Sequence, residues 1–180
     1  YSDLRRSTAL AETLAGGDYL DLLNRYFECT AGSVLANGGE VLSFIGDAVL
    51  AIFPIDHDGN SARSAAEAAT KAAEESLERI HLLNANRKDQ EAIHCGVGLH
   101  VGDVMHGNIG VPERVAFSVI GPAANEVARL EELTKTLDRD VLVSGAFADL
   151  LPRSWENMGE HAMRGSARTM TVLAPPASDA

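Results

Sequence analysis

The chain has 180 residues, a formal charge of −11 and 46% hydrophobic residues. That length and apolar share suit one domain with a sizeable core, and no apolar run approaches the ~18 residues of a membrane span. The acidic balance argues against a nucleic-acid or anionic-membrane surface, though a few local cations are enough for a nucleotide. Cys29 and Cys95 make neither a disulfide framework nor a zinc pattern, and read as buried reduced thiols of a cytoplasmic protein. The chain begins at Tyr1 rather than Met, so the expectation is a truncated first strand, with a targeting or anchoring segment upstream left open.

In chain order, Tyr1–Leu4 reads as the tail of a strand. Ser7 or Thr8 is expected to cap a helix over Ala9–Leu14, Gly16-Gly17 to break it, and Asp18 to cap a second helix reaching Ala36. Leu20, Leu23, Tyr26, Phe27 and Ala31 give that helix an apolar stripe, and Asn37-Gly38-Gly39 ends it. Glu40–Phe44 and Ala48–Phe53 are two short strands joined at Ile45-Gly46-Asp47. The Ala- and Glu-rich stretch 61–86 has strong helix propensity and a solvated charged face. Ala92–His100 and Asp103–Ile109 read as long strands around Gly102, followed by a strand at Val115–Ile120. Pro122 opens a further helix. Val141–Val143 is a strand, Ala146–Leu151 a short helix, Ala162–Leu173 a closing strand pair, and Pro175–Ala180 a tail. Strands and helices interleave with hairpins, which predicts an α+β fold: a mostly antiparallel sheet with helices packed on one face.

Two stretches carry chemistry. Gly46-Asp47 puts a carboxylate at a hairpin tip, although Gly-Asp is also ordinary turn chemistry. Asn125 and Arg129 stand four residues apart and so share a helix face, where both heads reach one ligand. Carboxylate, amide and guanidinium together are equipment for Mg-dependent phosphoryl chemistry. Arg129 also reads as a surface residue paired with Glu126 or Glu132. His100, Asp103 and His106 tempt a metal reading, but strand alternation turns Asp103 away, which favours a structural or interface role.

The blocks Phe44–Phe53, Gly96–Gly110 and Phe117–Glu131, in that order, resemble the class III adenylate and guanylate cyclase catalytic domain. The resemblance runs over residues 1–174, leaving 175–180 as a tail. It implies the palm-type, ferredoxin-like version of the α+β fold and a head-to-tail homodimer with shared sites at the interface. Asp3 and Asp47 fall where the family holds two Mg²⁺ or Mn²⁺ ions. Asn125 falls where the family orients the ribose, and Arg129 where it neutralises charge on the α-phosphate. Arg164, before Gly165, lies near the family's basic residue for the terminal phosphates. The substrate implied is ATP, turned into cyclic AMP and pyrophosphate, with a regulatory domain elsewhere in the full-length protein.

The chain departs from the family at the base. Ser43 stands where ATP-using members usually carry lysine. Ser118 stands where Asp, or Thr in one bacterial subgroup, reads the purine. Two hydroxyls donate and accept alike, so the pocket commits weakly between ATP and GTP. Arg6-Ser7-Thr8 replaces the usual Gly-Phe-Thr. The alternative is a cyclase-homology module that binds nucleotide or dimerises with little turnover. A diguanylate cyclase would need a paired acidic hairpin that Phe44-Ile45-Gly46-Asp47 does not supply.

Overall fold

The computed structural model describes residues 1–87, 90–111, 114–162 and 169–176. Its elements run β1 (Ser2–Leu4), α1 (Ser7–Thr13), α2 (Gly16–Ala36), β2 (Glu40–Ile45), β3 (Ala48–Ile52), α3 (Ala62–Ala85), β4 (Cys95–Leu99), β5 (Met105–Val111), β6 (Arg114–Ile120), α4 (Pro122–Leu137), β7 (Val141–Ser144), α5 (Gly145–Ala148), β8 (Glu156–Ala162) and β9 (Thr169–Ala174). Seven strands form one sheet in the order β2-β3-β1-β4-β7-β9-β8. Its first half is β1-α2-β2-β3-α3-β4 with spatial order 4-1-3-2, the ferredoxin-like arrangement. Among the described residues only β4 and β7 pair in parallel, so the α+β, mostly antiparallel expectation holds. β5 and β6 form a separate antiparallel ribbon.

The sheet has a helix on each side, which refines the one-face layering. Strand alternation shows it directly. Cys95 and Val97 of β4, with Val141 and Val143 of β7, join Leu22, Tyr26, Ala66, Ala69 and Ile80 of α2 and α3 in the larger core. Leu142, between the two valines, joins Leu130 of α4 and Val172 of β9 in a second core across the sheet. Gly96 and Gly98 alternate onto that second face, where a Cβ on Gly98 would lie 2.8 Å from the Val127 carbonyl oxygen. Both cysteines are buried and unpaired, as expected, and burial pushes the Cys95 thiol up to about 12.

Several boundaries move. The first helix starts at Ser7, and its N-cap is Arg6, held left-handed at φ 60° with no side-chain cap bond. The first helix ends at Thr13 ahead of Gly16-Gly17, but those glycines form the first turn of α2, whose N-cap is Ala15 and not Asp18. Residues before Cys95 stay out of the sheet because the Asn84 amide takes both the N–H and the carbonyl of Ile93, at 2.9 and 2.7 Å. The closing pair begins earlier than expected, at Glu156. Among the described residues no helix is long and apolar enough to cross a membrane.

Candidate active site

The turn between β2 and β3 sets the first carboxylate. Ile45 pairs with Ala48, leaving Gly46-Asp47 as a two-residue connection. Gly46 alone takes positive φ, 64°, which is the II′ pattern and suits a residue without Cβ. β1 then pairs Asp3 with Ala48, so the Asp3 and Asp47 carboxylates stand beside each other. Alternation sends Leu4 into the larger core and Ser2 toward Tyr26, whose hydroxyl donates to Ser2 Oγ at 3.3 Å. Asp3 therefore points to the α4 side. Burial pushes its carboxyl above the usual range and the Asp47 charge adds to this, while the Lys135 ammonium opposes.

α4 is seated on that side by Ala123, Val127, Leu130, Glu131 and Thr134. Its two flanks are pinned by polar pairs. On one, Lys135 Nζ lies 3.1 Å from Asp3 Oδ2. Burial pulls this ammonium down, but Asp3, Glu131 and Asp47 outweigh it and raise its pKa. On the other, His100 Nε2 lies 3.2 Å from Glu126 Oε2, and His100 Nδ1 lies 2.8 Å from Ser144 Oγ. The Glu126 carboxylate only accepts, so the neutral imidazole donates from Nε2 and its Nδ1 accepts the Ser144 hydroxyl proton, while Ser144 Oγ accepts the Phe147 N–H. Burial lowers the His100 pKa, with Glu126 opposing.

Asn125 and Arg129 stand on the helix face opposite the buried stripe, Asn125 exposed and Arg129 half-buried. Among the described residues neither makes a hydrogen bond or ion pair. The alternative of Arg129 paired with Glu126 or Glu132 does not hold: neither carboxylate is within ion-pair distance of Arg129, and Glu126 faces His100. Ser43 lies at a bulge in β2, and its Oγ donates weakly to the Phe44 carbonyl at 3.4 Å. Ser118 is half-buried on β6, opposite Gly107, and β6 lies against β2, so the strands carrying both serines adjoin. Arg164 lies outside the described residues.

The His100–Asp103–His106 grouping does not form a metal site, and no set of three or more such side chains is arranged to hold one among the described residues. A cavity of about 670 Å³ lies elsewhere, between α3 and the far ends of β3 and β4, and neither Asp3 nor Asp47 lines it. Sequence reasoning missed Lys135 and Glu131. Glu131 carried a signal, since helical spacing puts it beside Val127 on the apolar stripe. It is only 1% exposed, and burial followed by Asp3 pushes its carboxyl up to about 7. Lys135 carried none, because its partner is 132 residues away.

Known proteins share this fold and this sequence pattern. The adenylate and guanylate cyclase catalytic domain family matches residues 1–174. Adenylate cyclase 2 of Rhizobium meliloti (strain 1021) is 34% identical over 184 residues, covering 96% of this chain and 48% of that protein. The crystal structure of the adenylyl cyclase CyaB from P. aeruginosa superposes with a TM-score of 0.84 at 24% identity, covering 99% and 93% of the two chains. The guanylyl cyclase Cya2 superposes at 0.79 with 22% identity, covering 96% and 87%; at these identities both structures speak for the fold. The chain spans less than half the length of the curated relatives it matches. By the family match and by its relatives, the chain belongs to the adenylate and guanylate cyclase catalytic domain family.

Proposed function

We propose that this domain is a purine nucleotidyl cyclase that converts ATP to 3′,5′-cyclic AMP and pyrophosphate at sites shared between two copies of the chain. One observation carries the reading. The carboxylate pair Asp3/Asp47 and the pair Asn125/Arg129 are both present, yet the second is turned outward and makes no hydrogen bond or ion pair among the described residues. A second copy brought head to tail would complete each half-site, giving two whole sites per dimer and none per monomer. The β5–β6 ribbon supports such a partner, since it exposes Met105, Ile109, Val111 and Ile120.

The donor set fits a hard divalent cation. Two adjacent carboxylates, with phosphate oxygens from the substrate, match Mg²⁺ or Mn²⁺, and two ions per site are proposed. When bound, such ions acidify the ribose 3′-hydroxyl and brace the triphosphate. The chain's residues do the rest. Asn125 orients the ribose so that its 3′-oxygen faces the α-phosphorus. Arg129 meets the charge that grows on the α-phosphate oxygens, a contact whose loss costs roughly 10²–10³-fold in rate. Arg164 is proposed to hold the terminal phosphates. The 3′-oxygen bonds to the α-phosphorus, the bond to the oxygen bridging the β-phosphate breaks, and the hydroxyl proton passes to solvent. Ser43 and Ser118 face the purine, and their weak commitment predicts relaxed choice between ATP and GTP.

The test is cyclic nucleotide formation by concentrated domain, with ATP and GTP supplied separately alongside Mn²⁺ and then Mg²⁺, and Asp47→Ala as blank. Asp47-dependent cyclic AMP is the expected result. Silence from a protein shown to be dimeric would favour the module that binds without turnover. Ser43→Lys should raise the ATP:GTP ratio, and an unchanged ratio would remove position 43 from the base pocket. Mixing Asp47→Ala with Arg129→Ala chains should restore activity that neither variant has alone. No recovery from heterodimers would refute shared sites.

A further inference from the structure

The geometry points to Lys135 as a resident counter-cation of the metal half-site, holding the carboxylate pair when metal is absent and competing with metal for it. This deepens the reading of Asp3 and Asp47 as metal ligands and rests on it.

Several ion pairs among the described residues are ordinary. Arg63–Glu67 and Lys71–Glu75 join neighbours on one exposed helix face, and Arg153–Glu74 joins exposed tips. Such pairs contribute little and order nothing. Lys135–Asp3 differs in what fixes its two ends. Asp3 sits on a strand paired on both sides, to Ala48 of β3 and Gly96 of β4. Its backbone cannot leave its place beside the hairpin tip without breaking the sheet. The root of Lys135 is fixed as firmly. Glu131, one helical turn before it, and the adjacent Thr134 press onto Gly96, where a Cβ would lie 2.2 Å from Glu131 Oε1 and 2.3 Å from Thr134 Oγ1. At Gly98 a Cβ would meet helix main chain, 2.8 Å from the Val127 carbonyl oxygen, so the helix lies close on β4, and that closeness brings Nζ to Asp3.

The charges around Lys135 supply the reason for a cation there. Asp3 and Asp47 stand beside each other, and Glu131 lies one turn back on the same helix. Adjacent carboxylates repel, and a single ammonium at 3.1 Å from Asp3 offsets that repulsion without a metal. A dication taking the same oxygen cannot share it with an ammonium, so one must leave. Lysine suits the leaving role. It is a point charge on a flexible stem, where arginine would lock a carboxylate with a bidentate fork. The Lys135 side chain is 46% exposed, so it has a path into solvent.

Direct Mn²⁺ binding, with no nucleotide present, tests this. Free Mn²⁺ is measured by electron paramagnetic resonance against purified domain at low ionic strength, for wild type, Lys135→Met, Lys135→Gln, Lys135→Arg and Asp47→Ala, each checked for fold by circular dichroism. Both neutral variants should bind Mn²⁺ about tenfold tighter than wild type, and added salt should shrink the gap. Lys135→Arg should stay at or below wild-type affinity, and Asp47→Ala should lose the site. Equal or weaker Mn²⁺ binding by both folded neutral variants overturns the counter-cation while leaving the metal site standing. Absence of Asp47-dependent Mn²⁺ binding in every protein overturns the metal reading, and this inference with it.

Discussion

Strand β4 holds helices in two different ways on its two faces. Toward α2 and α3, Cys95 and Val97 meet Leu22, Tyr26, Ala66, Ala69 and Ile80, so side chains from both layers fill the gap. Toward α4, Gly96 and Gly98 offer no side chain: the Glu131 and Thr134 side chains fill the space over Gly96, and the helix backbone comes down onto Gly98. A side-chain interface can relax when one member changes, because rotamers adjust and part of a cavity collapses. A backbone-on-backbone contact has nothing to adjust. The rigid contact is on the face proposed to carry the chemistry, under the helix bearing Asn125, Arg129 and Lys135. The apolar face stores stability, and the glycine face sets distances.

The largest effect that separates the faces is Gly98→Ala. The new Cβ would lie 2.8 Å from the Val127 carbonyl oxygen and 3.0 Å from the Glu131 nitrogen, both main-chain atoms. Lifting α4 should cost about 3 kcal/mol in overpacking. Displacing the helix by an ångström should also cost roughly 10²-fold in turnover per folded dimer. Denaturant unfolding and kcat on one preparation check both, and a destabilised variant with normal kcat would mean that α4 does not set the catalytic distances.

Next is Glu131, the buried carboxyl on the glycine face. Its pKa is about 7 in the fold against 4.5 for the ordinary group, so folding favours the protonated form. The stability this lends is complete below pH 4.5 and is lost as pH rises through about 7. The loss by pH 8 is on the order of 2–3 kcal/mol. Glu131→Gln keeps the shape without the charge, so its stability should stay flatter across that window and exceed wild type at pH 8. Urea unfolding at pH 5 and pH 8 decides it; a difference between the two proteins that does not change with pH would mean that Glu131 is ionised at no cost.

Val97→Ala is the matching change on the apolar face. Val97 is 5% exposed within the larger core, and its truncation should cost about 2 kcal/mol. Turnover per folded dimer should not change. If it falls as far as in Gly98→Ala, the division between the faces is wrong.

Most of the sheet was legible from sequence because its signals are local. Gly46-Asp47 between two apolar runs fixes a hairpin, and Pro122 fixes the start of α4. The ends of β4 were not legible, because they depend on Asn84 capturing Ile93 from another element. The carboxylate at the hairpin tip could be read from its turn, and Asn125 with Arg129 from helical spacing. The glycine pair of β4 was visible, but nothing local says that the helix it admits starts 24 residues after Gly98. Lys135 followed from that hidden contact. Layering was missed for the same reason, since alternation in β7 shows two buried faces only once Leu142 has a partner.

The smallest effect belongs to Arg6, which stands on neither face but follows Asp3 out of β1. Its φ of 60° is the conformation glycine adopts freely, and the related pattern carries glycine in this segment. Arg6→Gly removes about 1 kcal/mol of left-handed strain. It also frees the unfolded chain, which costs roughly 0.4–1 kcal/mol. The exposed ion pair with Glu91 goes too, at a further cost of about 0–1 kcal/mol. These terms nearly cancel, so the melting temperature should move by only a few degrees, with Mn²⁺ affinity unchanged. A larger loss would show that the Arg6–Glu91 pair anchors the end of β1. A fall in Mn²⁺ affinity without loss of stability would show that the residues after Asp3 shape the carboxylate pair, extending the distance-setting region beyond the glycine face.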